Sequence, residues 1–226
     1  MSRHLRTLAL LLAIAVPPVL AGCGSSKSGT SSTSTPASAS GGSTTAASVQ
    51  LGPAFGPMDK LPGILKTAPP WDANVGQLQL RLRDVGLPAL TAEGQVVHIH
   101  QHLDIEVAGK AVHLPANLGI DASGAFISPL HTHDTTGVMH VESPTASSFS
   151  LGQFFAVWGV RLSPTCIGGE CTGAGKQLRA WVNGKPVTAD PTRIVLAEHQ
   201  EIVLAYGTAA QMPKKVPSSY PFPEGL

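Results

Sequence analysis

The stretch VHIHQHLDIEV, residues 97–107, constrains the fold more than any other part of the chain. Its odd positions are Val97, Ile99, Gln101, Leu103, Ile105 and Val107; its even positions are His98, His100, His102, Asp104 and Glu106. Side chains alternate across a strand, so this period of two predicts a strand with one largely apolar face. The other face carries three imidazoles and two carboxylates.

A two-residue turn at Ala108-Gly109 would pair Val107 with Lys110 and set His113 opposite Asp104 on the polar face. The segment HTHDTTGVMHVE, residues 131–142, yields a second hairpin by the same construction. With Asp134 to Gly137 as its turn, His133 pairs with Val138, His131 with His140 and Pro129 with Glu142. His131, His133, His140 and Glu142 then share a face, with Thr132, Met139 and Val141 on the other.

Six of the nine histidines fall in these two segments. Neighbouring imidazoles on an exposed surface would repel on protonation without compensation, which argues against a merely solvated face. Imidazole is a ligand for Zn and Cu, so His98, His100, His102, His131, His133 and His140 are the candidate metal ligands. Asp104, His113, Asp134 and Glu142 are candidates for an additional ligand or for hydrogen bonding to one. Same-face neighbours on a strand lie about 6.6 Å apart at Cα and can chelate one ion, whereas His98 and His102, about 13 Å apart, do not easily share one. A pH-sensing histidine cluster is the competing reading.

The N-terminus points to export. Arg3, His4 and Arg6 precede an apolar run over residues 8–20 that Pro17 and Pro18 interrupt, the length and charge of a secretory signal. The run ends in Leu20-Ala21-Gly22-Cys23, and in this motif the chain resembles bacterial lipoproteins. The resemblance implies loss of residues 1–22, lipidation of Cys23, and a location at the cell membrane facing the extracytoplasmic side. Residues 24–48, almost entirely Ser, Thr, Gly and Ala, cannot bury enough apolar surface to fold. They read as a tether with a reach on the order of 25–30 Å. The organisation expected is signal peptide 1–22, lipidated cysteine and tether 23–50, histidine-rich domain 51–210 and an irregular proline-rich tail 211–226.

Removing Cys23 leaves Cys166 and Cys171, spanned by Gly168 and Gly169. In an oxidising compartment they read as a local disulfide pinning a loop, the alternative being a thiolate pair for Cu(I) or a redox couple. The charge balance, 15 Lys+Arg against 14 Asp+Glu, shows no basic stripe, so nucleic acid is not an expected partner.

The fold class expected is α+β, antiparallel β hairpins forming a sheet with two short helices. Val75, Leu78, Leu82 and Val85 recur at helical spacing before Gly86 and Pro88, although Leu78, Leu80 and Leu82 also alternate as in a strand. Ser150 and Gln153 form a capping box for a second helix, with Phe149 and Phe154 placed as its hydrophobic staple. Asn183-Gly184 marks a hairpin over residues 178–187, and residues 194–196 with 202–206 read as another, with His199 in its solvated turn.

Across residues 95–165 the chain resembles a group of uncharacterised exported bacterial and archaeal proteins. They carry HxHxH, then HTHD, then a His-x-Glu strand and a Phe/Trp-containing helix. His98, His100, His102, His131, His133, Asp134, His140 and Glu142 match those motifs. The resemblance implies that the histidines act as one unit and implies no activity. Two functions follow: a membrane-anchored protein binding Cu or Zn for capture, buffering or delivery, or a metalloenzyme whose His-ligated Zn, Cu or Fe activates water or a substrate. A surface protein in which the metal only staples two hairpins is a third. HExxH, GxSxG and a P-loop are absent from the sequence.

Overall fold

The computed structural model describes residues 49–226. The signal segment, Cys23 and nearly all of the tether lie outside the described residues. Nine strands follow in order: β1 Val97–Val107, β2 Lys110–Ala111, β3 Leu130–His131, β4 Val138–Ser143, β5 Cys166–Ile167, β6 Glu170–Cys171, β7 Lys176–Val182, β8 Lys185–Val187 and β9 Glu201–Thr208. The α-helices are α1 Leu78–Asp84 and α2 Leu151–Trp158. The protein is therefore α+β, and no helix among the described residues is long and apolar enough to cross a membrane.

Seven strands form one sheet in the order β3-β4-β1-β9-β7-β8, with β2 also paired to β1. The turn at Ala108-Gly109 forms as expected, with φ of 53° and 75°, and pairs Val107 with Lys110. Asn183-Gly184, with φ of 50° and 74°, turns β7 into β8. Both turns use the left-handed backbone that matches the twist of a hairpin.

The expectation of antiparallel hairpins holds only in part. Strand β9 runs parallel to β1, His102 opposite Glu201, so the sheet is mixed. Residues 194–196 do not pair with β9. Their backbone is committed elsewhere: Val195 N–H donates to the Gln50 carbonyl, Leu196 N–H to that of Phe149, and the Ile194 carbonyl accepts from Leu151. The intervening turn instead closes on itself, Gln200 N–H donating to Ala197 and the Gln200 side chain accepting from Ala197 N–H.

Helix α1 is preceded by a 3-10 turn, Val75–Gln77, which makes the α-helical part shorter than the periodicity suggests. Leu78 and Leu82 are buried while Leu80 is exposed, which decides between helix and strand. Helix α2 starts at the expected capping box: Ser150 Oγ accepts from Gln153 N–H and Gln153 Oε1 from Ser150 N–H. It ends at Gly159, φ 78°, where a Cβ would collide with Asn74 and Arg81.

Phe154, Phe155 and Trp158 of α2 are fully buried, and Trp158 meets Trp71 edge to face at 5.7 Å. Arg81 is buried between the helices. Its Nη2 donates to the Val157 carbonyl near the end of α2, at 3.1 Å, and to the Asn74 carbonyl, at 2.5 Å. A cation at that end complements the helix dipole. On the sheet, Leu103, Met139, Val141 and Leu130 join the same apolar core as α2, which leaves the opposite face to the histidines.

Candidate metal centre

Strand register assembles most of the site. His131 on β3 pairs with His140 on β4, and His140 with His100 on β1, so three imidazoles lie in one row across three adjacent strands. The next row sets Glu142 beside His98. Strands lie about 4.8 Å apart, and the rings follow that spacing: His131 stacks on His140 at 5.2 Å, and His100 meets His140 at 4.5 Å. The expected opposition of Pro129 and Glu142 is present as Glu142 N–H donating to the Pro129 carbonyl. Beyond His131 the chain leaves the sheet, and His133 folds back so that its ring stands 4.8 Å from His131 and 4.5 Å from His140.

Two overlapping groups result. His131, His133, His140 and Glu142 each offer a ligand atom within 4.8 Å of the others, as do His98, His100 and Glu142. Glu142 joins them. Its Oε1 accepts from His140 Nδ1 at 3.0 Å and lies 3.5 Å from His98 Nε2 and 3.8 Å from His131 Nε2. His100, His131, His140 and Glu142 are buried, whereas the side chains of His98 and His133 are 42% and 44% exposed. The centre is a buried nest of donors with two imidazoles at its mouth.

Local hydrogen bonds fix the donors. His131 Nδ1–H donates to the Ser128 carbonyl at 3.0 Å, which turns the Nε2 lone pair toward His133 Nε2, 3.2 Å away. Two nitrogens held about 2.0–2.1 Å from a tetrahedral ion stand about 3.3 Å apart. The His131–His133 spacing matches that edge. His100 Nε2 and Glu142 Oε2 are buried without a hydrogen-bond partner, a costly state for polar atoms that a bound cation relieves.

The electrostatics favour neutral His100 and His131. Burial, then the neighbouring His140 and His98, lower the pKa of His100 to about 4. Burial lowers that of His131 to about 4 as well, against the pull of Glu142. Burial works to raise the Glu142 carboxyl, but His140, His131 and His98 together hold it below its ordinary value. Neutral imidazoles around an ionised carboxylate are the protonation states that bind metal.

The remaining expected residues are not brought into this nest. His102 and Asp104 form a separate group with Glu201. There His102 Nδ1 lies 2.9 Å from Glu201 Oε2, its Nε2 lies 3.0 Å from the Thr136 carbonyl, and its ring stacks on Tyr220 at 3.8 Å. Burial opposes protonation of His102, but the Glu201 carboxylate and Asp104 raise its pKa overall. Asp134 shapes the turn, its Oδ1 accepting from the N–H and hydroxyl of Thr136. His113 follows β2 and lines a groove of about 450 Å³ with Pro69, Pro70, Lys110 and Glu170. His199 is half exposed in its turn, as expected, with Nε2 3.0 Å from the Leu226 carbonyl.

Two acidic residues join the histidines without a signal in the sequence: Glu93, 3.5 Å from His133, and Glu201. Cys166 and Cys171 form the expected disulfide between β5 and β6 and supply no thiolate. No protein family, curated protein or solved structure matches the chain.

Proposed function

We propose that this is a membrane-anchored, extracytoplasmic metal-binding protein whose histidine centre takes up Cu(II) or Zn(II) for capture, buffering or delivery. The observation that carries the reading is the His131–His133 pair, with Nε2 atoms 3.2 Å apart and His131 fixed in the ligating tautomer by Ser128. His140 and Glu142 complete a four-donor set, and His100 with exposed His98 extends it toward solvent.

The donor chemistry narrows the metal. Imidazole nitrogen and carboxylate oxygen suit Cu(II) and Zn(II), whereas Cu(I) prefers sulfur. Met139 lies on the apolar face, and both described cysteines are oxidised. Because Glu142 belongs to both ligand groups, an ion admitted at His98 or His133 has an adjoining set of donors deeper in the nest. That arrangement supports uptake and release. The Leu-Ala-Gly-Cys motif and the Ser/Thr tether support the anchor, and the disulfide suits an oxidising compartment.

The metalloenzyme alternative calls for a substrate cavity beside the ion. Cavities of about 430 and 450 Å³ are lined by β7–β8 residues and by the Pro69-Pro70 region, with none of the nest's residues in their walls. Chelator competition on the full-length chain loaded with Zn(II) or Cu(II) tests the proposal. A delivery protein surrenders its ion while staying folded. Loss of structure on metal removal would instead make the ion a staple, since its binding energy would then be folding energy.

A further inference from the structure

The group formed by His102, Asp104 and Glu201 is not used by the histidine centre and has a different donor chemistry. Parallel pairing of β1 with β9 sets Glu201 directly beside His102, and Asp104 is the next residue on the same face of β1. One ligand atom from each of the three lies within 4.8 Å of the others.

Glu201 is 1% exposed, and its Oε1 has no hydrogen-bond partner. An ion pair with His102 accounts for Oε2 alone. It leaves Oε1 buried and unsatisfied, with a second carboxylate, Asp104, in the same group. A neutral His102 with two carboxylates around a divalent cation sums to zero.

The hydrogen bonding of His102 is open to exchange for a metal. In the metal-free protein Nδ1–H donates to Glu201 Oε2, 2.9 Å away; a divalent cation would take the place of that proton while Nε2–H keeps donating to the Thr136 carbonyl. Two ligands about 2.0–2.1 Å from an octahedral ion stand about 2.9 Å apart. The ring of Tyr220, 9° from parallel with His102, covers one side of the imidazole and keeps water from it. Electrostatic attraction strengthens where water is excluded.

We infer that His102, Asp104 and Glu201 form a second cation site, suited to an oxygen-preferring divalent ion of the Mg2+ or Mn2+ type. The carboxylate oxygens supply the charge, and the imidazole biases the site toward Mn2+ over Ca2+. The chain would thus hold two classes of metal on one face of β1, nitrogen-rich near His100 and oxygen-rich from His102 onward.

Mn2+ titration of the full-length chain, followed by the paramagnetic resonance signal of free Mn2+, tests this. Wild type and the His131→Ala/His133→Ala double variant should each bind one Mn2+ per chain. Asp104→Asn and Glu201→Gln should each weaken binding at least tenfold. Asp104 lies at the rim, so its isosteric change keeps the test decisive even if Glu201→Gln fails to fold. No Mn2+ uptake by wild type, uptake unchanged in Asp104→Asn, or uptake lost with His131 and His133 would each overturn the site. None of these results bears on Zn(II) or Cu(II) binding at the histidine centre.

Discussion

His131 and His133 bring their Nε2 atoms to 3.2 Å of one another, and only His131 is anchored, through Nδ1–H to the Ser128 carbonyl. Two residues apart in sequence, they have unequal tasks. His131 is fully buried on β3, while His133 stands at the mouth beside Glu93. His131→Ala should therefore reduce Zn(II) affinity more than His133→Ala does. Calorimetric titration of both variants checks the order, and equal losses would contradict it.

Glu142 is the carboxylate shared by His98, His131 and His140. Glu142→Gln keeps the shape and removes the charge that orients His140. Substitutions of this kind cost about 10- to 100-fold in metal affinity. An affinity within twofold of wild type would remove Glu142 from the centre.

Acid should destabilise the metal-free protein. His100 and His131 are held at about 4, against an unfolded value of about 6.5. Between those values the unfolded chain binds more protons, so stability is full above about 6.5 and is lost as pH falls toward 4. His102, with its raised pKa, has the opposite sign: its contribution is complete below about 6.5 and is lost as pH rises through its folded value. Glu201, raised by burial, opposes the acid trend with one group against two. Urea denaturation with metal chelated should show a midpoint that declines from pH 6.5 to 4; a level or rising midpoint would contradict the burial of neutral imidazoles.

Gly137 adopts φ 94°, and a Cβ there would stand 2.7 Å from His102 Nε2 and 3.0 Å from the Leu103 carbonyl. Gly137→Ala combines backbone strain with displacement of the His102 ring. A loss of more than about 1 kcal/mol is expected, read from the denaturation midpoint.

Arg81 provides a control away from the centre. Arg81→Ala leaves the Asn74 and Val157 carbonyls without their donor and opens a cavity between α1 and α2. The expected cost is at least about 3 kcal/mol, with the metal stoichiometry of the folded protein unchanged.

Local features of this structure could be read from the sequence wherever a short-range rule decides them. The period of two in β1, the Ala108-Gly109 and Asn183-Gly184 turns, the Ser150/Gln153 cap and the His131–His140 pairing are of that kind. Glu201 is not, because it reaches His102 through parallel pairing of strands 99 residues apart, which no local pattern encodes. Glu93 reaches His133 from the loop before β1, for the same reason invisible in spacing. The hairpin expected over residues 194–206 followed a valid local pattern, but pairing with Gln50 and Phe149 satisfied the backbone of residues 194–196 instead. Strand spacing already kept His102 from easily sharing an ion with His98; that Glu201 and Tyr220 draw it into a separate group is a tertiary fact no spacing encodes.

Elemental analysis of the full-length chain, purified without a histidine tag under metal-replete conditions, tests the metal centre most directly. Wild type should carry bound Zn or Cu, and the His131→Ala/His133→Ala variant should lose it while remaining folded. Wild type without either metal, or a variant that keeps its full complement, would contradict a centre built on these histidines.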